Sequence, residues 1–130
     1  MEILGIKHSE VQSEIKGVRH QLKQPVQYVI VYFDQGITKY YVGSIKKDYR
    51  FSASIPWGFY WVVGHPLDDE FRVPSLIHDD LCDKDVDGYL RDRAFRFLLR
   101  KEGLDKRIVR IMYKAVVQFR KAKTKVKGWF

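Results

Sequence analysis

Eight consecutive residues, Val26 to Phe33 (V-Q-Y-V-I-V-Y-F), are nearly all β-branched or aromatic. Asp34-Gln35-Gly36 follows, and a second run of the same kind extends from Thr38 to Ile45. Such side chains suit a pleated surface, and two runs of them around a Gly-containing turn read as a β-hairpin. Another extended piece is expected from Tyr49 to Ser54. It leads into Ser54-Ile55-Pro56-Trp57-Gly58-Phe59-Tyr60-Trp61, where Pro and Gly punctuate an aromatic cluster. Trp57, Phe59, Tyr60 and Trp61 are read as core and rim, with a ligand groove or a base-stacking surface as the alternative.

After Gly64-His65-Pro66 the pattern becomes helical. Leu67 to Cys82 offers Asp68 or Asp69 as a cap and Pro74 in a first turn. Tyr89 to Lys101 places Leu90, Ala94, Phe97 and Leu98 on one face and meets a stop at Gly103. Leu104 to Lys121 sets Leu104, Ile108, Ile111, Met112, Ala115 and Phe119 inward, with Lys106, Arg107, Arg110 and Lys114 outward. In the first 24 residues Val11, Ile15 and Val18 fit a weak helix that polar residues interrupt, so no element is assigned there. Strands followed by helices imply an α+β domain, an antiparallel hairpin or small sheet followed by three packed helices. The 130 residues fit one domain, 1–130, with 122–130 a basic, aromatic-tipped C-terminal arm.

The composition excludes several classes. The longest apolar run, Trp57 to Gly64, falls far short of the roughly 20 residues that span a bilayer. Met1 to Gly5 does not have the layout of a signal peptide, so synthesis in the cytoplasm is expected. Cys82 is the only cysteine, which rules out an internal disulfide and any multi-cysteine zinc site. Met1 to Gly103 holds 15 basic and 15 acidic residues, whereas Leu104 to Phe130 holds nine basic residues against one acid. The whole net charge of +8 therefore sits in the last fifth of the chain. Such a segment is either a solvated helix face or an attractor of nucleic acid, acidic protein or anionic lipid. The ending K-A-K-T-K-V-K-G-W-F makes Lys121, Lys123, Lys125, Lys127, Trp129 and Phe130 candidate docking residues.

Residues 78 to 92, H-D-D-L-C-D-K-D-V-D-G-Y-L-R-D, concentrate six aspartates, one histidine and one cysteine. Asp83-x-Asp85-x-Asp87-Gly88 is the opening half of a calcium loop of the EF-hand type, in which alternate carboxylates reach one hard cation. Its twelfth position is Ala94 rather than a bidentate glutamate, so a capped, solvated turn whose acids pair with Arg91 and Arg93 is the stronger reading. His78, Asp79 and Asp92 form the other candidate: a base or ligand beside two carboxylates that could hold calcium or zinc. Cys82 lies one helical turn from His78 and could share its face. The alternative is a buried histidine satisfied by Asp79 or Asp92, tying two helices together.

The order Ala53-Ser54-Ile55-Pro56, Ile77-His78-Asp79-x-Leu81, Arg91-Asp92-x-x-Phe95 and Met112-Tyr113-x-Ala115-Val116 resembles a small family of unknown function carried largely by phages and prophages. The resemblance covers about Val26 to Phe119 and implies a site at Ser54, Pro56, His78, Asp79 and Asp92. Phe51 stands where that family's pattern has its first aspartate, and Cys82 where it has a tyrosine. The loss of that carboxylate weighs against an inherited activity. Three functions are consistent with these residues. The first is an accessory or structural protein of a phage assembly, with a protein partner and a place in the host cytoplasm or the virion. The second is a metal-assisted hydrolase acting on an envelope or phosphoester substrate through catalytic His78, Asp79 and Asp92. The third is a nucleic-acid-binding protein.

Overall fold

The computed structural model describes residues 1–53, 64–65 and 67–127, with side chains to residue 122. Six strands come first: β1 (Glu2–His8), β2 (Ser13–Lys16), β3 (Arg19–Leu22), β4 (Val26–Asp34), β5 (Ile37–Ile45) and β6 (Arg50–Phe51). A 3-10 turn (Asp69–Phe71) then runs into α1 (Arg72–Asp83), followed by α2 (Gly88–Lys101) and α3 (Lys106–Lys127). The α+β order expected from the sequence is the one observed.

The β4–β5 hairpin pairs from Val26↔Ile45 to Asp34↔Ile37, closed by Gln35 and Gly36, both with positive φ (53° and 79°). That is the two-residue turn whose twist matches the strands it joins. β1 lies antiparallel on the other side of β4, giving the order β1-β4-β5, while β2, β3 and β6 form a second three-stranded sheet. The N-terminal segment is therefore strand rather than weak helix. Gly17, at φ 64°, makes a tight turn between Lys16 and Arg19, and β3 buries His20 and Leu22 at alternate positions, a period of two. Val11 is in the core, whereas Ile15 and Val18 are exposed, so the three valine and isoleucine positions share no face.

Among the described residues two clusters make the core. In the larger, Ile6, Val26, Tyr28, Ile30 and Ile45 from the β1-β4-β5 sheet meet Leu76, Ile77 and Leu81 of α1 and Leu90, Ala94 and Leu98 of α2. In the smaller, Phe95 and Leu99 from the other side of α2 meet Ala53, Phe71, Val109 and Met112. The central helix α2 is thus covered on two sides, which places its residues at the junction of both halves.

α3 differs from expectation in two ways. Its inward stripe is Val109, Met112, Val116 and Arg120, spaced by three and four residues, while Ile111 and Phe119 are exposed. It also continues to Lys127 instead of ending at Lys121, because Ala, Lys and Val carry no helix stop before Gly128. The arm expected at 122–130 is therefore helical through Lys127. Trp57, Phe59, Tyr60 and Trp61 lie outside the described residues. No described helix is long and apolar enough to cross a membrane.

One close approach in the sheet is testable. A Cβ at Gly43 would meet the Tyr28 ring at 2.1 Å, because the ring lies across Gly43 so that its hydroxyl can reach Asp80. Gly43→Ala should lose about 1–3 kcal/mol in urea unfolding, the usual cost of overpacking. Gly5→Ala, where nothing lies within 4 Å, should lose far less.

Candidate functional site

Three helices meet at one carboxylate. Asp92 of α2 is only 2% exposed. Its Oδ2 accepts a hydrogen bond from Arg120 Nε of α3 at 2.7 Å, and its Oδ1 lies 3.9 Å from His78 Nε2 of α1. At that separation the histidine contact is an ion pair rather than a direct hydrogen bond. Arg120 arrives by crossing Gly88, where a Cβ would stand 2.4 Å from its Cδ, and its guanidinium lies over the Tyr89 ring at 5.2 Å. Glycine at the first position of α2 is what allows that crossing. The His78 ring packs on Phe95 at 4.7 Å between centroids, and Cys82 Sγ lies 3.8 and 3.9 Å from its two ring nitrogens.

The electrostatics follow from this packing. Burial alone would lower the His78 pKa, but Asp92 and the Cys82 sulfur outweigh it and carry the value up to about 9. Asp92 moves the opposite way. Burial raises its pKa, yet His78 and Arg120 together hold it below the ordinary carboxylate value. The arrangement is an ion-paired staple across α1, α2 and α3, and it is the helix-tying histidine that the sequence offered as the alternative to a ligand.

Asp79 does not join it. Neighbouring positions on a helix point about 100° apart, and Asp79 Oδ2 faces the end of β6, accepting from the Ser52 amide at 3.3 Å. Burial raises its pKa to about 6, against the opposing pull of that amide and of His78. Asp80, the next residue, is engaged through Oδ2, which accepts from the Tyr28 hydroxyl at 2.6 Å and from Lys84 Nζ at 2.9 Å.

The three aspartates of the calcium-like loop also separate. Asp83 accepts from the Tyr49 hydroxyl, and Asp85 is exposed at φ 53°, 4.0 Å from Arg91 Nη1. Asp87 caps α2, its Oδ1 accepting from the Tyr89 and Leu90 amides at 3.0 and 3.2 Å. Among the described residues no group of three or more His, Cys, Asp or Glu side chains is placed to hold a metal. Phe51 is buried between His20 and Tyr49, with ring centroids at 5.3 and 6.5 Å, so a packed aromatic occupies its place in the sheet. Lys121 is exposed on α3. Ser54 and Pro56, the side chains of Lys123, Lys125 and Lys127, and Trp129 and Phe130 lie outside the described residues.

Sequence reasoning did not pair Arg120 with Asp92, nor Asp79 with Ser52. A usable signal existed for the first, since Arg120 continues the spacing of Val109, Met112 and Val116 in place of a hydrophobe. Nothing in the local sequence points to the second.

Residues 32–116 match a family model described as "Protein of unknown function (DUF1353)". The chain belongs to this family. The DUF1353 span runs from the end of β4 to Val116, so it includes His78, Asp79 and Asp92 but not β1 to β3 or Arg120. No curated protein and no solved structure matches the chain.

Two pH profiles test these assignments. A histidine whose pKa rises from 6.5 to about 9 on folding adds stability that is complete below pH 6.5 and disappears as pH climbs through 9. Between pH 6 and 9.5 the native chain should lose on the order of 3 kcal/mol relative to His78→Gln in urea unfolding, since each tenfold change in proton affinity is worth about 1.4 kcal/mol. Parallel profiles for the two would contradict the staple. Asp79 is raised from 3.8 to about 6, so its favourable contribution is present below pH 3.8 and gone above pH 6. Asp79→Asn should therefore be more stable than the native chain at pH 7.5, by up to roughly 3 kcal/mol, and should match it near pH 3.5. A difference that ignores pH would refute this.

Proposed function

We propose that the protein is a phage- or prophage-encoded assembly component without catalytic activity, docked through the outward face of its β1-β4-β5 sheet and the basic surface of α3. The observation that carries this reading is the sheet face. Leu4, Phe33, Tyr40 and Val42 are exposed there, and the register sets Val29 beside Val42 and Val31 beside Tyr40. A sheet face left in water is usually polar, and a contiguous apolar patch on it marks an interaction surface. α3 adds Lys106, Arg107, Arg110, Lys114 and Lys121, all exposed, which favour an acidic partner surface. The phage or prophage source is supported by the motif order noted in the sequence. The engagement of Asp92 by Arg120 and His78 fits a structural role for that carboxylate.

A second reading rests on Asp79. A half-buried carboxyl whose pKa burial raises to about 6, next along α1 from His78 though turned toward Ser52, is suited to general acid–base work, as a hydrolase of an envelope or phosphoester substrate would need.

The two readings separate in one experiment. Tagged chain is produced in cells that assemble the phage or prophage particle, and particles are banded on a density gradient. The native chain should band with the particles. The double substitution Leu4→Glu with Phe33→Glu, and deletion of residues 121–130, should each lower incorporation at least tenfold, while Asp79→Asn should leave it unchanged. Full incorporation of both docking variants, or a native chain absent from particles, would sink the assembly reading. Phosphoesterase or envelope-degrading activity in the purified native chain that Asp79→Asn abolishes would establish the second.

A further inference from the structure

We infer that the open edge of β5 pairs with β5 of a second copy of this chain, antiparallel, about a two-fold axis at Tyr40. In an antiparallel hairpin with a two-residue turn, the residues flanking the turn exchange hydrogen bonds, and every second residue beyond them points its amide and carbonyl away from the partner strand. With Asp34↔Ile37 as the closing pair, the outward-pointing residues of β5 are Thr38, Tyr40, Val42 and Ser44. The other side of β4 agrees with this count: Gln27, paired with Ser44, turns its carbonyl toward β1, where it accepts from the Ser9 amide.

Among the described residues no strand pairs with β5 on that outer side. Ser44 is nevertheless occupied, because Lys84 Nζ, held by Asp80 at 2.9 Å, donates to its carbonyl at 2.8 Å. The open stretch is thus bounded by the Gln35-Gly36 turn at one end and by Lys84 at the other, and its centre is Tyr40. Natural edge strands are usually guarded by proline, bulges or charged side chains, inward-pointing ones included. The one charged residue of β5, Lys39, lies on the core-side face opposite Tyr32 and is neutralised by Asp34 at 3.5 Å, so it opposes pairing most in a register that sets it against its own counterpart.

A second copy is favoured as the occupant because the strand is compatible with itself in a single register. An axis at Tyr40 sets Thr38 opposite the second copy's Val42 and Lys39 opposite its Tyr41, and uses about six backbone hydrogen bonds, two for each outward-pointing pair. Lys39 then meets an aromatic ring instead of a like charge. Moving the axis to residue 39 would oppose Lys39 with itself. Moving it to residue 41 would require the Ser44 carbonyl that Lys84 already holds. Half-step registers would set outward-pointing groups against inward-pointing ones. At the axis, Tyr40 is 67% exposed and Val42 75%, so the pairing covers side chains that now face water and joins two sheets into one of six strands. This names the partner for part of the docking surface proposed above, and it rests on that reading only for its role in assembly.

Sedimentation equilibrium on the purified full chain, over a wide range of protein concentration, tests it. The native chain should pass from monomer to dimer, and Tyr40→Lys and Tyr40→Glu should each weaken dimerisation at least tenfold. An equimolar mixture of the two variants should dimerise again, since residue 40 faces its own counterpart only in this register. Unchanged circular dichroism and melting temperature of the variants establish that the outward substitution has spared the fold. A native chain monomeric at every concentration, a dimer indifferent to both substitutions, or a mixture that stays monomeric would overturn the pairing. Particle incorporation is scored separately. A monomer found in particles overturns the pairing and leaves the assembly reading intact, while a dimer never found in particles does the reverse.

Discussion

A carboxylate buried at the meeting point of three helices must be neutralised, and the helical half of this protein is arranged around that requirement at Asp92. An unpaired carboxylate out of water would cost several kcal/mol or would take up a proton. Arg120 and His78 face its two oxygens from α3 and α1, and each contact fixes neighbouring structure. The arginine needs a residue without a side chain at Gly88 and an aromatic surface at Tyr89, and the histidine needs Phe95 beneath its ring. Stripping a buried carboxylate of all its partners costs about 3–5 kcal/mol, and losing Arg120 alone costs less because His78 stays beside Asp92. The packing of α3 on α2 depends on this polar contact at one end as well as on Val109 and Met112 at the other.

The same neutralisation bears on chemistry. A carboxylate already paired with an arginine and a histidine is a poor metal ligand unless both move away. Asp79 is in the contrasting position: it is half-buried, among the described residues it accepts from the Ser52 amide, and burial raises its pKa to about 6. Proteins keep such an unfavourable carboxyl either for a task or as a residue of an older one. The features left for interaction are surfaces: an apolar sheet face, the open edge of β5 and a basic helix.

Much of the fold was legible because periodicity is local. The β4–β5 hairpin followed from two β-type runs around Gln35-Gly36, and α2 followed from Leu90, Ala94 and Leu98 with a stop at Gly103. The N-terminal strands were not legible, since Ser13–Lys16 and Arg19–Leu22 are short and polar and the Gly17 turn between them was the one clear signal. On α3 the inward stripe was misplaced because Ile111 and Phe119 are apolar yet exposed, while Arg120 is charged yet faces inward. Hydropathy assigns faces by chemical type, and a buried ion pair reverses that assignment.

The sequence by itself determined the order of strands and helices, an acidic turn that caps the start of α2, and the concentration of charge in α3, since these depend on residues within a few positions of one another. It also nominated His78 and Asp92 as partners. Only the tertiary structure decided that Arg120 completes their contact, that Asp79 turns away to Ser52, and that Lys84 closes one end of the β5 edge. Those three contacts join residues 28, 27 and 40 positions apart. Side chains so distant along the chain meet only when the packing of whole elements brings them together, and no local pattern encodes the distance between them.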